Sequence, residues 1–337
     1  MGIKYAHKRC KKVFVTVNVF PHNEDLVGME DYLKKLYKLG ADAILVSDPG
    51  IIMTAKEVVP NLELHLSTQA NNVNWKSAIF WHNQGVKRIV LARELSLKEI
   101  SEIRSHLPES CEIEAFVHGA MCMSYSGRYK YYLMEEKRQG EYFPVFEDDR
   151  GAYILNSKDL CMIEHIPELV KSGINSFKIE GRMKSSYYVA TVVKAYRRAI
   201  DAYFENPDFY EFKKVWLDDL MKVSHRVYYT GFYFGNPGKQ IYETSSYIRN
   251  YDIVGIVKDY DNTAERVVIE QRNKVFDGDE VEVLRPKGDG FCVRLCDMRN
   301  EEGEKIESAP VAQMIFTAKI NNKMKKGDML LKAKNDK

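Results

Sequence analysis

Strand-like and helix-like runs alternate along the first two thirds of the chain, and this constrains the fold more than any other feature. An alternating apolar run at 13–18 precedes an amphipathic stretch at 24–39 that Gly40 closes. The pattern repeats with a strand at 43–47 and a helix at 52–58, then a strand at 62–67 and a helix at 72–84, closed by Gly85. A strand at 88–92 leads to a helix at 97–106, where Ser96 caps and Glu99 completes a capping box. After an apolar strand that begins at Glu112 come a helix at 164–171 closed by Gly173, a strand at 176–180 and a long helix at 185–204. Glycine just past a helix is a stop signal, because it alone takes the left-handed conformation without cost. Such alternation predicts an α/β fold with a parallel sheet.

An open doubly wound sheet and a closed barrel both satisfy that alternation. The strand ends favour a TIM-barrel-like (β/α) barrel. Polar groups stand there in succession: Asn18, Ser47 with Asp48, Ser67 with Gln69, Arg93 with Glu94, His118, and Glu180 with Arg182. An open sheet concentrates its site at one switch point, whereas a barrel gathers groups from all its strand ends. The competing explanation is that strand ends are polar because loops are. No glycine-rich dinucleotide fingerprint or P-loop follows any strand. Six core strands are countable, so the barrel reads as incomplete, with two edges that invite instability or pairing with another chain.

The densest chemistry follows the strand that begins at Glu112. It runs Glu112-Ile-Glu-Ala-Phe-Val-His-Gly-Ala-Met-Cys-Met-Ser-Tyr-Ser-Gly-Arg128. Singly, His118 also reads as a core histidine and Cys122 as a small buried hydrophobe. Together with two hydroxyls and Gly127-Arg128 they make a candidate site. Lys178-Ile-Glu-Gly-Arg-Met-Lys184 is a second one, in which Arg182 offers a planar fork suited to a carboxylate or phosphate. An internal Glu180–Arg182 pair, two apart on a strand, is the bland alternative.

These stretches resemble the collagenase-like peptidases, peptidase family U-thirty-two. The resemblance rests on Glu114-x-Phe116-x-x-Gly119-Ala120-Met121-Cys122 with Gly127, on Tyr153-Ile-Leu-Asn-Ser-Lys-Asp-Leu-Cys161, and on the Lys178–Lys184 stretch. It continues through Ser224-His-Arg226 and Gly231-Phe-Tyr-Phe234. The resemblance implies two further strand–helix units before the first strand seen here. It also implies an iron–sulfur cluster held by four cysteines, of which Cys122 and Cys161 match two. Where the family pattern places another cysteine, after Gly127-Arg128, this chain has Tyr129, as though a cysteine-bearing loop were missing. Cys10, Cys111, Cys292 and Cys296 do not replace it.

Composition narrows the classes further. The chain has 337 residues, 45% hydrophobic, with a net charge of +2. Two domains fit that length, and wholesale electrostatic capture of nucleic acid is not indicated, though a local basic patch is open. The start lacks the apolar core of a signal peptide, no run is long enough to span a membrane, and the chain reads as cytoplasmic. Past residue 247 short β-branched runs separated by Gly-containing turns predict a small all-β barrel. The expected division is a (β/α) barrel at 1–224, a linker at 225–246 and the β-barrel at 247–337.

Three functions follow as expectations. The resemblance implies hydroxylation of an RNA base, such as a tRNA wobble uridine, with iron–sulfur clusters and a prephenate-linked oxygen source. The alternative that the resemblance carries is a peptidase acting on a peptide substrate. No His-Glu-x-x-His or Gly-x-Ser-x-Gly occurs, and His22, His65, His118 and Glu180 have no spacing that demands a metal. A non-catalytic scaffold binding RNA or protein is the third. For catalysis the candidates are His118, Glu180 and Arg182. For substrate they are Asn18, Asp48, Ser67, Gln69, Arg93, Glu94 and Arg128, and for metal Cys122 and Cys161. RNA is the expected partner, with a peptide as the alternative and an oligomer open.

Overall fold

The computed structural model describes residues 2–120, 158–235 and 247–334, and the backbone of 146–148 and 151–153. Its contacts divide the chain into two units, residues 1–180 with 228–245, and residues 181–227 with 246–337.

In the first unit, α1 (Gly2–His7) precedes β1 (Phe14–Val17). Then α2 (Met29–Leu39), β2 (Ala43–Val46), α3 (Pro49–Val58), β3 (Glu63–Leu66), α4 (Trp75–Asn83), β4 (Val86–Val90), α5 (Leu97–His106) and β5 (Glu112–Ala120) alternate as expected. A hairpin of β6 (Phe146–Asp148) and β7 (Gly151–Tyr153) follows, and then β8 (Asp159–Cys161), α6 (Ile166–Lys171) and β9 (Ser176–Ile179). The strands β1 to β5 pair in sequence order, all parallel, and β9 pairs parallel with β5. A doubly wound sheet reverses its order at a switch point, and this one does not. The order is that of a (β/α) barrel. All four residues of β2 are buried, as a strand covered on both faces requires. Leu33 and Leu36 of α2, Ile51, Ile52 and Ala55 of α3, and Ile100 and Ile103 of α5 supply buried helix faces.

Two helix boundaries differ from expectation. The stretch 24–39 splits into a 3-10 turn at Asn23–Leu26 and then α2, because Gly28 between them has φ +80°. The helix expected at 72–84 starts at Trp75, because the Asn74 side chain accepts from the Ser77 N–H at 2.9 Å and caps it there.

The second unit begins with α7 (Ser186–Glu205) and α8 (Lys214–Leu220). Tyr188, Val192, Ala195, Ala199 and Tyr203 recur at helical spacing on the buried face of α7. Tyr210 and Phe212, which precede α8, pack on the buried ring of Trp216. Past the two-residue β10 (Tyr228–Tyr229), which belongs to the first unit and pairs with β8, come nine strands. They are β11 (Tyr251–Asp261), β12 (Arg266–Gln271), β13 (Val275–Phe276), β14 (Glu280–Leu284), β15 (Phe291–Arg294), β16 (Cys296–Arg299), β17 (Ser308–Ala309), β18 (Ile315–Lys319) and β19 (Met329–Ala333). Seven form one antiparallel sheet in the order β15-β14-β19-β11-β12-β18-β16. Its two edge strands are consecutive in the chain, with only Leu295 between them. A sheet whose edges lie one residue apart must curl on itself, which gives the expected barrel form. Val257, Val267, Ile269, Val283, Phe316 and Leu330 lie in its core.

Candidate active site at the strand ends

The end of β5 is where the chain departs from a regular sheet. Its first part pairs parallel with β9, while His118, Gly119 and Ala120 pair antiparallel with Cys161, Leu160 and Asp159 of β8. His118 and Cys161 are therefore direct cross-strand neighbours, whose side chains share a face. His118 is fully buried, with its ring 5.3 Å from that of Tyr228. Gly119 has φ +113°, and a Cβ there would meet the Glu180 carbonyl oxygen at 2.6 Å and the Glu180 Cβ at 2.8 Å. The absence of a side chain lets Glu180 close onto the strand, and its N–H donates to the His118 carbonyl at 2.8 Å.

Glu180 in turn meets Arg93, which follows β4. The Arg93 Nη2 lies 3.3 Å from Glu180 Oε2, and its Nη1 donates to the Ala120 carbonyl at 2.9 Å. The guanidinium also lies 3.7 Å from the centre of the Phe116 ring. Three contacts fix this cation, whose side chain is 6% exposed, whereas the Glu180 side chain is 33% exposed. A held guanidinium beside a reachable carboxylate can orient a polar substrate and accept its proton.

Below this pair lies a charged layer that the strand-end pattern did not single out. Glu114 of β5 accepts from Lys178 Nζ at 2.7 Å, from Ser176 Oγ at 2.8 Å and from Arg88 Nη1 at 3.3 Å. Burial pushes the Glu114 carboxyl up, but the Lys178 ammonium, the two hydrogen bonds and Arg88 outweigh it and hold it below the usual carboxylate range. On β3, burial pushes the His65 imidazole below its ordinary value, against the 2.8 Å contact with Glu63. Barrel interiors are ordinarily filled with branched apolar side chains. Glu114 and Lys178 stand inside the family-like motifs, so charged residues on buried strands were the signal that could have revealed this layer.

The other strand ends form a neutral polar group. Asn18 donates to Ser67 Oγ at 3.0 Å, and the Ser47 hydroxyl donates to Gln69 Oε1 at 3.5 Å. Ser67 also accepts from the Gln69 N–H at 3.4 Å, opening the 3-10 turn Thr68–Ala70. The Asp48 carboxylate accepts from the Ile51 N–H at 3.0 Å and caps α3. Glu94 is half-buried beside Arg93 in the chain. Arg182 does not share a strand face with Glu180, because β9 ends at Ile179 and Arg182 lies, exposed, in the turn beyond it. Cys122 and Arg128 lie outside the described residues.

The iron–sulfur expectation meets the thiols as follows. Cys161 is buried in β8 opposite His118 of β5, and Cys111 is buried just before the first residue of β5. Seven residue steps of strand lie between Cys111 and His118, the partner of Cys161, about 23 Å, so the two thiols cannot share a cluster. Burial pushes the Cys111 thiol up, away from the thiolate a metal needs. Among the described residues no three His, Cys, Asp or Glu side chains gather to hold a metal ion. The cysteines among the described residues do not fit a four-thiolate cluster.

Comparison with known proteins places this geometry in a family. The family model described as "Peptidase family U32" matches residues 1–243, and "Peptidase family U32 C-terminal domain" matches 249–330. The chain is 38% identical to "tRNA hydroxylation protein P1" of Bacillus subtilis, over 99% of this chain and 84% of that one. It is 36% identical to "tRNA hydroxylation protein P" of Escherichia coli, over 92% and 81% respectively. The Escherichia coli "23S rRNA 5-hydroxycytidine C2501 synthase" is 34% identical over 60% of this chain and 33% of that one. With one family model over the α/β part and its companion over the β part, the chain belongs to peptidase family U32.

Proposed function

We propose that this chain is an enzyme that hydroxylates a base in RNA, with tRNA as the first substrate to test. The observation that carries this reading is the similarity, along almost the whole chain, to proteins named for tRNA hydroxylation. The geometry supports it with Arg93 and Glu180 held together at the strand ends. In this reading Arg93 orients the base or an adjoining phosphate, and Glu180 accepts a proton from the reacting group. His118 and Gly119 seat Glu180 through the backbone contact at the end of β5. Asn18, Ser67 and Gln69 offer hydroxyl and amide groups to the polar edge of the base, and Arg128, Glu94 and Arg182 remain candidates for contacts around it. Converting C–H to C–OH is a two-electron oxidation, so the reaction requires a co-substrate that donates the oxygen atom and accepts the two electrons.

The test is nucleoside analysis of tRNA from cells that lack tRNA hydroxylation, with and without this chain. Appearance of a pyrimidine heavier by one oxygen atom is the expected result. Unchanged nucleosides together with cleavage of a denatured collagen substrate would instead support the peptidase reading that the family name carries.

A further inference from the structure

Charge is unevenly distributed on the C-terminal β-barrel. The stretch 319–334 holds six lysines and one acid, Asp328, while the turn between β16 and β17 carries Glu301, Glu302, Glu304 and Glu307 against Lys305. Ordinary surfaces intersperse the two signs.

The single acid in the basic stretch does not neutralise it. Asp328 is 1% exposed, and its carboxylate accepts from the Lys325 N–H at 3.0 Å while lying 3.3 Å from Arg285 Nε. It builds the turn that Gly327, with φ +94°, completes. Arg285, at the start of the β14–β15 turn, stacks 4.2 Å over the Phe291 ring and donates to the Lys323 carbonyl. That residue ties the β14–β15 turn to the β18–β19 loop, so their lysines form one rim. Lys287, Lys323, Lys325 and Lys326 are all exposed on it, and among the described residues no carboxylate pairs with them. Another acid is already engaged, since Asp289 of the same turn pairs with Arg198 at 2.7 Å.

We propose that this rim, Lys287 with Lys323, Lys325 and Lys326, is a contact surface for the phosphate backbone of RNA. Four exposed ammonium groups on two tied loops, with no carboxylate partner among the described residues, suit a polyanion that is read by charge rather than by sequence. The proposal rests on the RNA reading above and adds where the chain grips its substrate.

The experiment is fluorescence anisotropy of a labelled, unmodified tRNA transcript titrated with the full chain across about 0.05–0.3 M NaCl. The variants are K323E/K325E/K326E, the milder K323Q/K325Q/K326Q in case reversal disturbs folding, and E301K/E302K on the opposite hairpin. Removing three phosphate contacts should lower the slope of log K against log salt by about 3. It should also weaken binding at 0.1 M salt by roughly a hundredfold or more. The hairpin variant should bind at least as well as the wild type. Wild-type binding with an unchanged affinity and slope in both lysine variants would overturn the proposal and leave the RNA reading standing. A wild-type chain that binds no tRNA at low salt would overturn both. Loss of binding to vesicles rich in phosphatidylserine, with tRNA binding unchanged, would assign the rim to a membrane surface and overturn the proposal.

Discussion

Gly119→Ala should damage the site through geometry alone, and its size can be worked out from the structure. The backbone there has φ +113°, where an L-residue costs about 1–3 kcal/mol. The added Cβ would also stand 2.6 Å from the Glu180 carbonyl oxygen and 2.8 Å from the Glu180 Cβ. Relief requires moving backbone, and such overpacking costs about 1–3 kcal/mol more. The sum, about 2–6 kcal/mol, is a large share of a domain's total stability of roughly 5–15 kcal/mol. Gly85→Ala is the matched control, because Gly85 has φ +91° with nothing within 4 Å of a new Cβ. It should show the backbone cost alone. Urea unfolding of both variants reads the difference, which should be at least about 1 kcal/mol against Gly119→Ala. Equal destabilisation of the two would refute the close approach of Glu180 to β5.

Glu114→Gln should flatten the acid limb of the stability profile. The folded Glu114 carboxyl titrates below its usual 4.5, so the stabilisation it supplies is present above that value and is lost as pH falls through the folded pKa. Removing its charge leaves Lys178 without its ion-pair partner and Arg88 with Glu112 alone, at a cost of at most about 3–5 kcal/mol near neutral pH, and thermal melts across pH measure both effects. Anaerobic reconstitution with iron and sulfide should leave this chain without a stoichiometric four-cysteine cluster, and a chain given a loop with two cysteines between Arg128 and Tyr129 should gain one. Iron content and visible absorption check this, and a loop-restored chain that stays colourless would remove the cluster from the account. We also propose 225–246 as the linker before an independent β domain, in keeping with the family models meeting between 243 and 249. Residues 247–337 alone should then melt in one cooperative step, since the barrel has its own core.

Much of the α/β architecture was legible because it is local. The Ser96–Glu99 capping box fixed α5 to the residue, and glycines at 40, 85 and 173 marked stops that the structure keeps at positive φ. The fork at the end of β5 was not legible, because β8 is three residues long and its pairing with His118–Ala120 is set by distant chain, not by periodicity. The candidate site was legible in part. Polar strand ends pointed to Arg93, His118 and Glu180, which the structure joins through one carbonyl and one ion pair. The same signal marks Asp48, which caps α3, because capping and ligand binding favour the same residue types at the same place. Glu114, Arg88 and Lys178 were not legible as a cluster, because each, taken alone on a strand, looks like a solvated charge, and only pairing register brings them together.

Whether the Arg93–Glu180 pair serves RNA hydroxylation is read most directly from the amount of hydroxylated nucleoside in tRNA from cells expressing wild-type chain, Glu180→Gln or Arg93→Gln at matched protein levels. The expected result is product with the wild type and a loss of at least about tenfold in each variant, below the usual range for a proton-transfer group and so a conservative threshold. Wild-type product that persists undiminished in both folded variants would contradict that role.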